Sequence, residues 1–304
     1  MNAFTGTLPS TIGQLRNVKE LMLSRTSIRG TIPNALGELT NIENLEMYGN
    51  MLTGSIPSSL GRCSGLKRIG KFFSSIMPVA VKKRCKCSYG DAFVLDLFNN
   101  KLNGTIPESI SRLQSLQILH VKLNQLTGTI PSMFGELPHL SWFDLSSNNL
   151  HGTIPATFGS SFSIKDFRLG GNMIYEPIPA ALCSNTNING GLTRIYGCDG
   201  VICPLGTFSD PGHATHSDGC KPCPEGMTTM YLGSSSCEKF TEADILSIFF
   251  DAMGGNSWNA LQRNRWKDYD YNVCKWHGIG CDSDNNSQIE SIRFPLIGVE
   301  DFLL

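Results

Sequence analysis

An excess of charge of either sign is missing from this 304-residue chain: 25 Lys and Arg stand against 26 Asp and Glu, a net charge of -1. A nucleic-acid binder carries a basic footprint, and none is present. Long hydrophobic runs are missing too. The best, Phe72 to Val81, is broken by Ser74, Ser75 and Pro78 and is too short to span a bilayer. The opening MNAFTGTLPS lacks the basic-then-apolar order of a secretory leader. There is no Gly-rich phosphate loop and no kinase signature. Hydrophobic residues are 40% and charged ones 17%, which excludes a disordered composition. What the chain has in quantity is turn formers, 31 Gly and 15 Pro, and 11 Cys. That many cysteines suit an oxidising compartment, and an odd number leaves at least one thiol unpaired or paired with another chain. A chain of extracellular texture without a leader is expected to be an internal piece of something longer.

The decisive pattern is internal. Pro9, Pro33 and Pro57 are 24 residues apart, and so are Pro107, Pro131, Pro155 and Pro179. Most end a G-[TS]-[IL]-P string, as at 6–9, 30–33, 54–57, 104–107, 128–131 and 152–155. Ahead of each lies L-x-x-L-x-L-x-x-N-x-L, for example Leu116, Leu119, Val121, Asn124 and Leu126, then Leu140, Phe143, Leu145, Asn148 and Leu150. A strict period in this range means a solenoid. In L-x-L both apolar side chains point to one face of a short strand, and stacked coils turn these strands into a parallel sheet with about 4.8 Å per step. Asn50, Asn100, Asn124, Asn148 and Asn172 recur at the bend that follows. An amide there can satisfy backbone groups that the bend would orphan. These Leu and Asn residues are scaffold.

The repeat resembles the plant-type leucine-rich repeat, with its L-x-G-x-I-P-x-x-L-G consensus, over residues 1–182. The resemblance implies an α/β fold: a right-handed solenoid with a parallel β-sheet and a second short sheet at L-x-G-x-I-P. About seven to eight coils are expected. Two departures stand out. Thr26 occupies the first Asn position, and Pro57 to Pro107 spans two repeats plus two residues. Within that span residues 70–92 lose the pattern. Three readings stay open: a degenerate coil of 26 residues, a surface loop or functional island around the basic Lys82–Arg84, and unspliced intron sequence. Cys63, Cys85 and Cys87 lie in or beside it without obvious partners.

From Cys183 the texture changes. Cys183, Cys198, Cys203, Cys220, Cys223 and Cys237 fall in a segment with few large apolar residues, which needs cross-links in place of a core. The strings CPLGTF (203–208) and CKPCPEGM (220–227) resemble the small modules of ephrin-receptor and tumour-necrosis-factor-receptor type, for which disulfides are expected. Six cysteines allow 15 pairings; the pairing expected here is 183–198, 203–220 and 223–237. A redox role for Cys220-Cys223 lacks a βαβ context, and a zinc site is disfavoured by the extracellular setting. No metal and no cofactor are expected.

From Phe240 Thr241 and Asp244 form a capping signal, and Ile245, Leu246, Phe249, Phe250 and Met253 line a helical face ended by Gly254-Gly255. Trp258, Trp266 and CKWHGIGC (274–281) follow. This resembles the N-terminal cap of plant-type repeat arrays, which implies a Cys274–Cys281 disulfide and a second array beginning near residues 288–294. His277 reads as a cap residue. The expected organisation is therefore 1–182 solenoid, 183–239 disulfide-rich module, and 240–304 helical cap with the first strand of a second array. Similar tandem arrangements occur in receptor-like proteins of algae such as diatoms.

The concave sheet of a solenoid is its usual binding surface. Phase places Glu20, Met22, Ser24 and Arg25, then Asn44, Glu46 and Tyr48, then Asp96 and Phe98, then His120 and Lys122, then Trp142, Asp144 and Ser146, then Asp166 and Arg168 on it, facing solvent. The ligand set expected from this is Tyr48, Asp96, Phe98, His120, Lys122, Trp142, Asp144, Asp166 and Arg168, with the aromatics as anchors. His120, Asp144 and Ser146 share the face, but at open positions nothing would orient a base, so no catalysis is expected. N-x-[ST] sequons at Asn103 and Asn285 suit a secreted glycoprotein. The reading is non-catalytic extracellular recognition of a protein or peptide, in a receptor-like signalling ectodomain whose membrane span would lie outside this chain. The alternative is a secreted inhibitor of a cell-wall hydrolase or a wall-associated structural protein. A kinase or other enzyme would lie beyond Leu304.

Overall fold

The computed structural model describes residues 4–42, 44–63, 93–161, 163–252, 274, 276, 279–281 and 289–292. They belong to two compact units, Met1–Cys237 and Glu238–Leu304. In the first unit the strands of the repeats are β1 (Thr5–Thr7), β2 (Glu20–Met22), β3 (Ser27–Thr31), β4 (Asn44–Glu46), β5 (Met51–Gly54), β6 (Phe93–Asp96), β7 (Lys101–Leu102), β8 (Leu116–His120), β9 (Trp142–Asp144), β10 (His151–Thr153), β11 (Asp166–Arg168) and β12 (Met173–Tyr175). β2, β4, β6, β8, β9 and β11 pair in that order as a six-stranded parallel sheet. β1, β3, β5 and β7 make a second parallel sheet, and β10 with β12 a short further one. The L-x-G-x-I-P string supplies this second layer.

Register explains the core. Leu45 faces Leu95, Leu95 faces Leu119, Leu119 faces Phe143 and Phe143 faces Phe167. All are buried, as are their L-x-L partners Met47, Leu97, Val121, Leu145 and Leu169. Each such side chain contributes about 2 kcal/mol on leaving water. Toward the C-terminal end the leucines give way to an aromatic cluster, Phe134, Phe143, Phe158 and Phe167, with ring centroids 5.1 to 6.0 Å apart. The last repeat closes through a short α-helix, Ala180–Ser184, after Pro179, and six others through a 3-10 turn that starts after their proline, as at Asn34–Glu38 after Pro33. Leu36 enters the core there, and a Cβ on Gly37 would run into the Ser59 carbonyl of the next coil. The glycine of the consensus is what lets the coils approach.

The asparagines form a ladder. The Asn124 amide donates to its own coil at Val121 O (3.0 Å) and to the preceding one at Leu97 O (3.0 Å), while its oxygen accepts from Leu102 N (3.0 Å). Asn100, Asn148 and Asn172 repeat this wiring. At the first rung the Thr26 hydroxyl lies 2.6 Å from Asn50 Oδ1 and 3.2 Å from Leu23 O, so a shorter side chain fills the place through its neighbour. The residue before each rung is left-handed: Arg25, Gly49, Asn99, Leu123, Ser147 and Gly171 have φ between 53° and 71°.

Between Pro57 and Pro107 the coils are direct neighbours. β4 pairs with β6 and β5 with β7, the Asn100 amide reaches Met47 O, and Ser109 Oγ donates to Ser58 O at 2.7 Å. The degenerate-coil reading of 70–92 is therefore wrong, because no strand stands between β4 and β6. The segment itself, with Cys85 and Cys87, lies outside the described residues. Cys63 is free and buried, and burial pushes its thiol up to about 11.

Residues 183–237 pack onto the last coil. Cys183–Cys198, Cys203–Cys220 and Cys223–Cys237 are disulfides. Ile188, Val201, Ile202 and Leu232 belong to the same buried core as the repeats. Leu232 N donates to Ile174 O (2.9 Å) and Gly171 N to Gly233 O (3.1 Å). Asn189 accepts from Phe167 N (2.8 Å) and donates to Phe167 O (2.9 Å), so a side chain pairs with the backbone edge of β11. A solenoid must close its apolar end, and a sheet must blunt its edge; this segment does both.

In the second unit an eleven-residue helix, Glu242–Ala252, is preceded by Thr241, whose N–H and hydroxyl both donate to Asp244. These bonds hold the Asp244 carboxyl below its ordinary range. Leu246, Phe250, Trp276 and Ile279 cluster, Cys274 is bonded to Cys281, and Ile279–Cys281 pairs antiparallel with Ile289–Ile292. Trp258, Trp266, His277 and Asn285 lie outside the described residues.

Candidate recognition face

The outer face of the six-stranded sheet carries three columns of side chains, each set one strand apart by the parallel register. The central column reads Met22, Glu46, Asp96, His120, Asp144 and Arg168. Within it His120 Nδ1 is 3.3 Å from Asp96 Oδ1, and Nε2 is 3.9 Å from Asp144 Oδ2. Phe98, in the next column, stacks on the His120 ring at 4.8 Å between centroids and 11° between planes. On the other side Trp142 lies under the Arg168 guanidinium, 4.9 Å from its ring centre, and Arg168 Nη2 is 3.0 Å from Asp166 Oδ1. Arg25 sits 5.7 Å over the Tyr48 ring. Burial pushes the Tyr48 phenol up; Arg25 opposes this, while Glu46 and Asp96 add to it.

The expectation that this face is open to solvent is corrected at seven positions. Glu46, Tyr48, Asp96, His120, Trp142, Asp144 and Ser146 are buried, Asp96 to 1% and Trp142 to 8% exposure. Strands about 4.8 Å apart force large neighbours in a column into contact, so they cover one another. Phe98, Lys122, Asp166 and Arg168 remain partly open, and Glu20, Met22 and Arg25 are exposed. A second cover comes from the disulfide-rich segment. Gly170 occupies an outward position, and a Cβ there would stand 2.5 Å from Pro211 O and 2.8 Å from Gly212 Cα. The loop through His213 thus seats on the end of the face. His213 is buried, which lowers its ring below the ordinary 6.5 against the opposing hydrogen bond to Ala214 O. Nothing in the sequence signalled His213, which joins the face through packing between distant segments. The adjacency of Asp96, His120 and Asp144 was legible, since they are 24 residues apart.

The view that nothing would orient His120 is corrected as well: Asp96 holds one nitrogen and the Phe98 ring fixes the plane. The wiring is nevertheless not that of a nucleophile. The Ser146 hydroxyl donates to Asp144 Oδ1, which also accepts from Ser146 N (3.0 Å). The serine is turned to the carboxylate and not to the imidazole. Among the described residues no group of His, Cys, Asp and Glu could hold a metal ion. No helix among them is long and apolar enough to cross a membrane.

Family models for the leucine-rich repeat match residues 93–174 and 41–63. No curated protein matches the chain. Solved structures do. The ectodomain of the Arabidopsis thaliana membrane receptor kinase GASSHO1/SCHENGEN3, in complex with CASPARIAN STRIP INTEGRITY FACTOR 2, is 30% identical over 62% of this chain and 19% of its own, with a TM-score of 0.51. The plant peptide hormone receptor RGFR1, in complex with RGF2, is 33% identical over 62% and 26%, also at 0.51. A TDR receptor is 31% identical over 62% and 28%, at 0.51. The chain thus spans about a quarter or less of the length of the first two. Repeat, double sheet, asparagine ladder and these likenesses agree: residues 41–63 and 93–174 are leucine-rich repeats, similar to those of the plant receptor ectodomains.

Proposed function

We propose that the outer face of the six-stranded sheet recognises a protein or peptide ligand outside the cell, as part of a receptor-like ectodomain. The observation that carries this reading is the strip of partly open side chains, Phe98, Lys122, Asp166 and Arg168, backed by a buried and internally wired layer. A rigid face with aromatic and charged groups at its surface is what an interface anchor requires. The plant peptide hormone receptor RGFR1, of similar architecture, was solved in complex with RGF2, which supports the same use here. The four disulfides favour an oxidising compartment. We read the role as non-catalytic, because the Ser146 proton goes to Asp144. Asn103, exposed just after β7, is the proposed glycan site. The unit at Glu238–Leu304 reads as the cap of a further array.

The test is selection of peptides from a displayed random library on the full chain. Binding of the selected peptides should fall at least about fivefold in Phe98→Ser and in Lys122→Glu, whereas Met133→Ser on the opposite side should bind as wild type. Selected peptides indifferent to both changes would defeat the reading, and so would a library that yields none.

A further inference from the structure

Three nitrogen atoms at the C-terminal end of the outer face are buried and lack hydrogen-bond partners: Trp142 Nε1, Arg168 Nε and His213 Nε2. Trp142 and Arg168 are in contact, on adjacent strands. His213 follows Pro211 and Gly212, which press on Gly170, and the charges it feels are those of Arg168, Asp144 and Lys122. The loop therefore brings it over the same end of the sheet. Buried polar atoms are nearly always paired, so three unpaired ones in one place mark a ligand's atoms.

Their chemistry is specific. An indole N–H and a guanidinium N–H can only donate. His213 Nδ1 is 2.7 Å from the Ala214 carbonyl, which can only accept, so Nδ1 carries the proton. Nε2 of the neutral ring is then an acceptor. Two donors and one acceptor remain. A carboxylate would match the donors but set lone pair against lone pair at His213, and Asp144 and Asp166 already supply negative charge beside it. An amide group offers both partners, a carbonyl oxygen and an N–H. We infer that the notch formed by Trp142, Arg168 and His213 binds an amide group of the ligand, its C=O toward Trp142 and Arg168 and its N–H toward His213. Arg168, partly open over the indole, is the side chain that moves to admit it. This rests on the peptide-recognition reading and makes the disulfide-held segment part of the binding face.

The test uses the full chain labelled with 15N at its four tryptophan indoles. The Trp142 resonance is assigned by its loss in Trp142→Phe. N-methylacetamide stands for a backbone amide, acetamide for an Asn or Gln side chain, and sodium acetate for a carboxylate, all at constant ionic strength. A saturable shift of the Trp142 signal is expected with one of the two amides, and which one tells backbone from side chain. It should weaken about tenfold in His213→Ala and persist in His213→Gln, which keeps an acceptor. Circular dichroism reports whether each variant is folded, and His213→Gln against wild type suffices if the alanine variant is not. A stronger response to acetate, no saturable response to either amide, or no dependence on residue 213 would overturn the inference. Library peptides that still depend on Phe98 and Lys122 would show that the recognition reading survives that failure.

Discussion

Replacing Asn124 with alanine removes three hydrogen bonds at once. Leu102 N is left without its acceptor, while Leu97 O keeps the Asn100 amide and Val121 O the Asn148 amide. Asn124 is buried, so water does not reach these groups freely. An unsatisfied buried group costs roughly 1–3 kcal/mol and each of the two other lost bonds about 1 kcal/mol, so with partial relaxation the loss comes to about 3 kcal/mol. Asn50 has comparable bonds, to Leu23 O at 2.7 Å and Met47 O at 3.1 Å, but is only half-buried. Solvent can replace part of what is lost there, so Asn50→Ala should cost about half as much. The assay is urea unfolding followed by circular dichroism, with hydrogen exchange at the Leu102 amide as a local probe. At an unchanged slope the Asn124→Ala midpoint should fall by more than about 1 M. Asn124→Asp should fare no better, because the carboxylate keeps the contact with Leu102 N but turns an oxygen toward two carbonyls. A loss below about 1 kcal/mol for Asn124→Ala, or equal losses at positions 50 and 124, would refute the argument from burial.

Gly37→Ala should cost several kcal/mol by thermal melting, since its Cβ meets backbone at Ser59 and not a side chain that can turn away. Leu123 is exposed and left-handed at φ 57°, so Leu123→Gly should be neutral or up to about 1 kcal/mol stabilising, whereas Leu123→Val should destabilise. Burial lowers the folded-state His213 ring below the 6.5 of the unfolded chain, so the unfolded state binds the extra proton and stability should fall as pH drops below about 6.5. The melting temperature of His213→Gln should lack that part of the pH dependence. Deleting residues 67–92 returns Pro57 and Pro107 to the 24-residue period and joins Leu66 to Phe93. Because β4 already pairs with β6, the shortened chain should keep its circular dichroism spectrum and its melting temperature.

The period carried most of the fold. It located the inward L-x-L pairs, the main sheet and the ladder, because in a one-dimensional stack every coil repeats the same local problem; the second sheet was implied by the resemblance to the plant-type repeat. It also placed Asp96, His120 and Asp144 in one column. What it could not show was depth. Phase distinguishes inward from outward, but whether an outward Trp142 is open depends on its neighbours in adjacent coils and on a loop some 70 residues away. His213 has no periodic signature at all. Asn189 was equally hidden: it finishes β11 from an irregular segment, with a left-handed backbone that no consensus position marks.

An in-register parallel stack has one consequence that bears directly on function. It sets each residue beside its equivalent in the next coil, so a repeated charge would meet itself. Two like charges one strand apart repel by about 3 kcal/mol at an effective dielectric constant near 20. The central column avoids part of this by interposing His120 between Asp96 and Asp144 and by ending on Arg168. Those buried groups are thereby bound to one another: Asp96 also accepts from Phe98 N, and Asp144 holds Ser146. Substituting them would disturb the sheet before it disturbed a ligand. The side chains free to take new partners are those that the column supports from below, Phe98 on His120 and Arg168 over Trp142, with Lys122 beside them. Specificity can therefore change at these positions from one protein of this architecture to the next, while the charge order beneath them has to be kept.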